Sequence, residues 1–451
     1  MTSAKPLWTW VELCRALRLA ETPGPDVGGV CIDSRRARPG DLFIALTGDP
    51  GPRFNPSRRS ERDGHQFIDA AIEAGAVGVL AHDGVERNVP QLQVADTLDG
   101  LWRLAAAARS RLDCPVVAVT GSSGKTTTKS LLAAALGAFC TEGSLNNHLG
   151  VPLSLIATPA DASAAVYEIG TSHPGEIAPL SELARPDVAI VLNVHPAHVE
   201  YFRDLDDLRE EKLNIYNGLG VEGHLIIEDQ IKADGVPRGI TCTRFGRGED
   251  ADVRFLALTD GRADYRVGGR RLSAHVPGGG EHRAMALAAV LATLHTLGRS
   301  LEPALELADD LIPRGRGSQM MAGAVTIIDD SYNANPESMK AALRALAASP
   351  GRTIAVLGDM LELGEETSRY HRELAEYCAG IDAIICVGNA MRDLYDQLPE
   401  DQCVGWFPDT GDDLADALIL QSAPGARVLV KGSNRIFWAH DFVARVVERL
   451  G

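Results

Sequence analysis

Within residues 116–130, Gly121, Ser122, Ser123, Gly124, Lys125, Thr126 and Thr127 follow a short β-branched run (Val116, Val117, Val119) and precede a stretch rich in Ala and Leu. Strand, glycine turn, lysine, hydroxyl and helix, in that order, form a cradle for phosphate groups. Glycines let backbone N–H groups approach phosphate oxygens, and the helix N-terminus adds partial positive charge. Lys125 would reach the β- and γ-phosphates, and the Thr126 hydroxyl would hold a Mg²⁺. The full pattern has a further glycine where Val119 stands. A tight turn with a solvated lysine is the alternative; the flanking strand and helix favour ATP binding.

Ligands of open α/β sheets bind beyond the carboxyl ends of the strands, so the residues just past each apolar run sample the site. The run 164–169 delivers Glu168, then Thr171, Ser172 and His173. The run 188–192 delivers Asn193, His195, His198 and Glu200. Glu168 is either a solvated strand-end carboxylate or a Mg²⁺ ligand beside the phosphates, since Mg²⁺ takes oxygen donors. Thr171 and His173 stand where a substrate would be held. No cysteine or third histidine near His195 and His198 completes a zinc set, so one histidine supplementing a Mg²⁺ site fits better.

Lys212 falls on the apolar face of a helix-like segment, in step with Leu205, Leu208, Ile215 and Leu219 at a spacing of three to four residues. Either its amine snorkels outward, or burial lowers its pKa and leaves a neutral amine able to take up CO₂ as a carbamate. A carbamate would be an anionic oxygen ligand for a metal.

These groups need elements to position them. At 451 residues, 45% of them hydrophobic, the chain can form about three domains, each with a core. A net charge of −17 without a long basic run argues against nucleic-acid binding, and it requires local positive charge wherever an anionic substrate docks. The eight cysteines are scattered singly, as expected in a reducing cytoplasm. No run approaches membrane-spanning length, so a soluble protein without membrane insertion is expected.

The fold class read from the pattern is α/β in three domains. A mixed α/β N-terminal domain (1–109) would have helices near 8–19, 66–74 and 98–108 and strands near 30–33, 42–46 and 78–81. The Pro/Arg-rich segment 49–63 reads as a loop. A central domain (110–313) with a mainly parallel sheet carries the phosphate loop on strands 116–120, 164–169 and 188–192. A C-terminal Rossmann-like domain (314–451) repeats the alternation at 325–328, 354–357, 383–387 and 428–430. In this last domain Asn335 and Pro336 suit the N-cap and first turn of a helix 337–348. Capping leaves Asp330, Tyr332 and Asn333 unexplained at a strand's carboxyl end. With Asp359 and Lys431 at equivalent ends, they could form the far wall of a site shared between domains.

The segments TGSSGKTTTK, SLNNHLGVPLSL, YEIGTSHPGEI, NVHPAHVE, IDDSYNANPESM and VLGDMLELGE, taken together, resemble the Mur ligase family. The likeness runs through nearly the whole chain in the family's three-domain order, and the last two segments mark the branch that adds D-Ala-D-Ala. DSRRARPGDLFIALTG resembles that branch's uridine-binding region. The resemblance implies an ATP-dependent amide ligase acting on UDP-MurNAc-tripeptide and D-Ala-D-Ala through an acyl phosphate, and we expect a monomer. It implies that Lys125 and Thr126 bind ATP and a first Mg²⁺, with Glu168 near that metal. His198 and a carbamylated Lys212 would help hold a second Mg²⁺. Ser34 and Arg35 would touch the uridine diphosphate, and Asn146, Asn147, Tyr332, Asn333 and Asn335 would position the dipeptide. Arg316 and Asp330 would complete the closed site.

The chain departs from the family on the adenine side, where GGEHRAMALAA stands for an HN-x-x-N pattern and His282 and Met285 lie near those places. It also has Asn214 where glutamate, and Asn434 where arginine, are usual. The competing readings are a related ligase with another acceptor and a homologue that binds without turnover.

Overall fold

The computed structural model describes residues 5–47, 63–82, 89–196 and 199–451, in which the strands form three sheets. The first contains Gly29–Cys31, Asp41–Ile44, Gly78–His82 and Gln91–Val94, all parallel and in chain order. Helix Trp10–Leu17 opens on a capping box between Thr9 and Glu12. Most of the expected 49–63 loop lies outside the described residues.

In the second sheet, the strand Val116–Thr120 lies between Ala165–Glu168 and Val188–Val191, parallel to both. His224–Glu228, Thr241–Gly246 and Val253–Thr259 extend it in parallel. Arg262–Val267 and Arg270–His275 then complete an antiparallel meander. The meander is a departure from the expected alternation of strands and helices. Arg262–Val267 alternates polar and apolar residues, and its outer face is solvated, so it never forms the continuous apolar run of a doubly covered strand.

Period-two alternation explains why the central strands are apolar throughout. Val116 and Ala118 enter a core shared with the N-terminal elements, whereas Val117 and Val119 enter a second core under the helix Glu281–Thr296. One face of the first sheet therefore shares its core with the central strands, while the other keeps its own around Phe43, Ile68 and Val79. Helix Thr97–Ser110 packs between the layers, and the indoles of Trp8 and Trp102 donate to the carbonyls of Ile156 and His148, each at 3.0 Å.

The third sheet runs in the order Ser318–Ala322, Val325–Asp330, Arg427–Lys431, Thr353–Gly358, Ala383–Val387 and Cys403–Phe407. All its pairings are parallel except that of the first strand, an antiparallel edge absent from the sequence-based expectation. In-register pairing sets Asp330 opposite Lys431. Helix Pro336–Ala347 starts as expected, with Asn335 as N-cap and a capping box to Ser338.

Candidate active site

The carboxyl ends of the second and third sheets face one cleft of about 1000 Å³, large enough for a nucleotide and part of a second substrate. Its wall on the side of the second sheet is the phosphate loop. Gly121 and Gly124 have φ of 154° and 79°, and a Cβ on Gly121 would stand 2.9 Å from that of Leu192. Glycine is needed there because the loop lies directly against the neighbouring strand end. Asn193 fixes the turn by accepting from Ser123 N at 3.0 Å and donating to Ser123 O at 3.2 Å. Ser122 Oγ donates to the His195 carbonyl at 2.8 Å and accepts from His195 N at 2.9 Å. Thus the residues past strand Val188–Val191 brace the loop.

Glu168 is buried at the end of its own strand. Its Oε2 accepts from the Thr126 hydroxyl at 2.8 Å, and its Oε1 accepts from Ser144 Oγ at 2.8 Å and Asn146 Nδ2 at 2.7 Å. Burial pushes this carboxyl upward, but Lys125, Arg316 and Lys129, with the Thr126 hydroxyl, outweigh it and hold it below the usual range. All three of its partners donate to it, an arrangement that suits the ionised carboxylate. Lys125 Nζ folds back onto the Gly121 carbonyl at 2.7 Å. Burial lowers the Lys125 amine despite the opposing pull of Glu168. Lys129, one turn further along the helix, is 2% exposed and donates to the carbonyls of Thr141 and Gly143.

Lys212 is also 2% exposed, and no hydrogen-bond partner for its Nζ is found among the described residues. Burial, reinforced by Lys125, takes the amine well below the ordinary lysine range. The helix carrying it, Leu205–Leu213, is shorter than its pattern suggested. Leu208 and Ile215 are buried as expected, but Leu205 is 45% exposed: it is the first residue of the helix, beyond the packed face. His198, the expected companion of Lys212, lies outside the described residues.

The opposite wall comes from the third sheet. Lys431 Nζ donates to Asp330 Oδ2 at 2.7 Å and to the Asn333 carbonyl at 3.1 Å. Arg316 lies 4.3 Å over the Tyr332 ring, which meets Trp438 edge-on. Asn146, Asn147, Thr171, His173, His282, Asn333 and Asn335 also line the cleft. The Asn335 carbonyl oxygen is engaged as a helix cap, which leaves its amide N–H groups for a ligand. Ser34 and Arg35 do not line the cleft; the Arg35 guanidinium pairs with Asp33 at 2.7 Å, and Leu46 and Thr47 reach the wall from the same sheet.

Ser144, Lys129 and Arg283 were given no role from the sequence. Lys129 was findable, being one helical turn from Lys125 on the buried face. Arg283 carried no local signal, because its acceptors are backbone carbonyls, two on the preceding turn and two more than thirty residues downstream. Among the described residues, Asp63, His65 and His82 form the one cluster with metal-ligand identities. It is in the first sheet's unit, and both His65 ring nitrogens are engaged there, by Asp63 and by the His82 amide.

A nucleotide phosphate cradle, an ionised carboxylate beside a hydroxyl, and cations from two walls can together neutralise a polyphosphate while a second anion approaches. Comparison with known proteins agrees. The Mur ligase middle domain matches residues 119–294, and the Mur ligase, glutamate ligase domain matches residues 315–434. UDP-N-acetylmuramoyl-tripeptide–D-alanyl-D-alanine ligase of Rickettsia prowazekii is 30% identical, over 95% of this chain and 98% of its own. The enzyme of that name from Bacillus subtilis is 35% identical, over 77% and 76%. Among solved structures, MurF from Acinetobacter baumannii superposes with a TM-score of 0.81 at 28% identity, covering 98% of this chain and 99% of that one. MurF from Thermotoga maritima in complex with ADP gives 0.76 at 28% identity, covering 94% and 98%.

Proposed function

The chain belongs to the Mur ligases, and within them to the UDP-N-acetylmuramoyl-tripeptide–D-alanyl-D-alanine ligases; from that membership we propose how its cleft uses ATP to join D-Ala-D-Ala to the tripeptide of the UDP-linked precursor. The observation that carries the assignment of roles is the convergence of the phosphate loop, Glu168 and the Arg316–Asp330–Lys431 wall on one cleft.

In the first step a tripeptide carboxylate oxygen attacks the γ-phosphorus of ATP, giving an acyl phosphate and ADP. In the second the dipeptide amine attacks the acyl carbon, phosphate departs with the C–O bonding pair, and the nitrogen loses a proton. Both steps bring anions together, so charge compensation and positioning supply most of the catalysis. Lys125 and the loop amides hold the phosphates. Arg316 and Lys431 face them from the far wall, and closure of that wall would keep water from the acyl phosphate. Tyr332, Asn333, Asn335, Asn146 and Asn147 hold the dipeptide. Thr171 and His173 contact the tripeptide end, while Ser34 and Arg35 anchor the uridine diphosphate beyond the rim.

The hydroxyl of Thr126 and carboxylate of Glu168 are oxygen donors of the kind Mg²⁺ takes and would hold one ion. The unpartnered, buried Lys212 amine fits a carbamate that, with His198, would hold a second. Bound Mg²⁺ supplies neutralisation of the phosphate charge. The base end of ATP is assigned to the start of helix Glu281–Thr296, near His282. We take the working units as 1–109, 110–313 and 314–451, a division supported by each sheet lying within one of them. One chain supplies every wall of the cleft, which favours a monomer, and eight free thiols suit a cytoplasmic setting. No helix among the described residues is long and apolar enough to cross a membrane.

The test is phosphate release and product mass with ATP, Mg²⁺, UDP-MurNAc-tripeptide and D-Ala-D-Ala, omitting each in turn. Release that requires both substrates and yields the pentapeptide product supports the reading. Equal release with neither, or with unrelated amines, would sink it.

A further inference from the structure

We propose that Arg283 is a positioning residue: it clasps the C-terminal unit to the middle unit and so sets where Arg316 and Lys431 stand relative to the phosphate loop. The inference rests on the ligase reading for its kinetic arm only. Arg283 lies in the first turn of helix Glu281–Thr296 and is 8% exposed. One guanidinium nitrogen donates to the carbonyls of Gly278 at 2.5 Å and Gly279 at 3.1 Å, on the middle unit. The other donates to the carbonyls of Arg316 at 3.2 Å and Gly317 at 2.9 Å, where the chain enters the third sheet. A planar fork with several rigid donors can span two backbone segments in this way; an ammonium or a short amide cannot.

The glycines on both sides make room for the fork. Gly278 and Gly317 have φ of 67° and 82°. A Cβ on Gly317 would fall 2.0 Å from Arg283 Nη2, and one on Gly278 would fall 2.9 Å from Nη1. Backbone and side chain therefore form one fitted joint. The carbonyl held on the far side belongs to Arg316 itself, whose side chain packs on Tyr332, and Gly315 N is held by Asp329 Oδ2 at 3.0 Å. The next strand, Val325–Asp330, pairs directly with the strand carrying Lys431. Fixing residues 316 and 317 thus fixes the cationic wall.

The test compares wild type with Arg283→Ala, Arg283→Lys and Gly317→Ala by steady-state kinetics, small-angle scattering and limited trypsin digestion after Arg316. The phosphate loop and the helix start assigned to the base both belong to the middle unit, so KM for ATP should stay within about threefold while kcat falls about 10–100-fold, the scale of a misplaced reacting group. Scattering should broaden and cleavage after Arg316 should accelerate, with Arg283→Lys folding normally but failing to restore kcat. If Arg283→Ala does not fold, Gly317→Ala tests the same joint from the opposite side. Wild-type cleavage and kcat in both variants would overturn the clasp. So would a rise in KM for ATP that matches the whole loss, which would make Arg283 a nucleotide contact. An inactive wild type would refute the ligase reading, while digestion and scattering would still judge the clasp.

Discussion

Replacing Lys125 by methionine should separate catalysis from stability. In the folded chain the amine makes one short bond, 2.7 Å to the Gly121 carbonyl, and burial lowers its pKa against the opposing charge of Glu168. Losing a charge-assisted hydrogen bond costs about 1.5–3 kcal/mol. Relief from holding a cation in a half-buried site returns an amount of the same order. Methionine keeps the length of the stem, and Glu168 retains Thr126, Ser144 and Asn146 as partners. The net change in folding stability should therefore be within about 1–2 kcal/mol. Catalysis has no such offset. A unit charge about 4 Å from a phosphoryl oxygen, at an effective dielectric of about 20, contributes about 4 kcal/mol, or about three decades in kcat. ADP release at saturating substrates, alongside urea denaturation followed by circular dichroism, measures both. A loss below about tenfold with normal stability would refute the role of the charge; a destabilisation above about 3 kcal/mol would make the lysine structural.

Other outcomes follow from the same geometry. Burial and the neighbouring Asp229 raise the Glu228 carboxyl from 4.5 to about 7. The native state thus keeps a proton that the unfolded chain loses, and stability is full below 4.5 and falls as pH rises through 7. Glu228→Gln should add about 1–2 kcal/mol at pH ~8, after discount for solvent screening, and nothing at pH ~4; denaturant midpoints at the two pH values decide it. If Lys212 carries a carbamate, bicarbonate should restore ADP release in CO₂-depleted buffer for wild type and not for Lys212→Met; indifference of wild type to bicarbonate would dismiss the carbamate. Asn335→Ala should lose about 1–2 kcal/mol with its helix cap. Asn335→Asp should keep that stability yet raise KM for D-Ala-D-Ala, because it retains the capping oxygen and removes the amide donor.

Much of the fold was legible where the signal is local. The β-branched runs at 116–120 and 383–387 became strands over the same residues, and Asn335-Pro336 began its helix where capping chemistry placed it. The meander Arg262–Val267 and Arg270–His275 is less legible: its first strand alternates polar and apolar residues and has no continuous apolar run to mark it. The inward face assigned to Lys212 was right for Leu208 and Ile215 and failed for Leu205, because helical periodicity states which side is apolar, not where the packed surface ends.

The phosphate loop, the strand-end carboxylate and the helix caps were written in contiguous residues, because glycine torsions, β-branching and capping depend on neighbours a few positions apart. Only packing decided that Thr126, Ser144 and Asn146 would share Glu168, that Lys431 would meet Asp330 across 101 residues of chain, and that Arg283 would bridge two glycine turns. Each of those pairings selects one polar side chain from many with the same chemistry. The selection comes from the register of sheets and the burial of helices between them, which act on the whole chain at once.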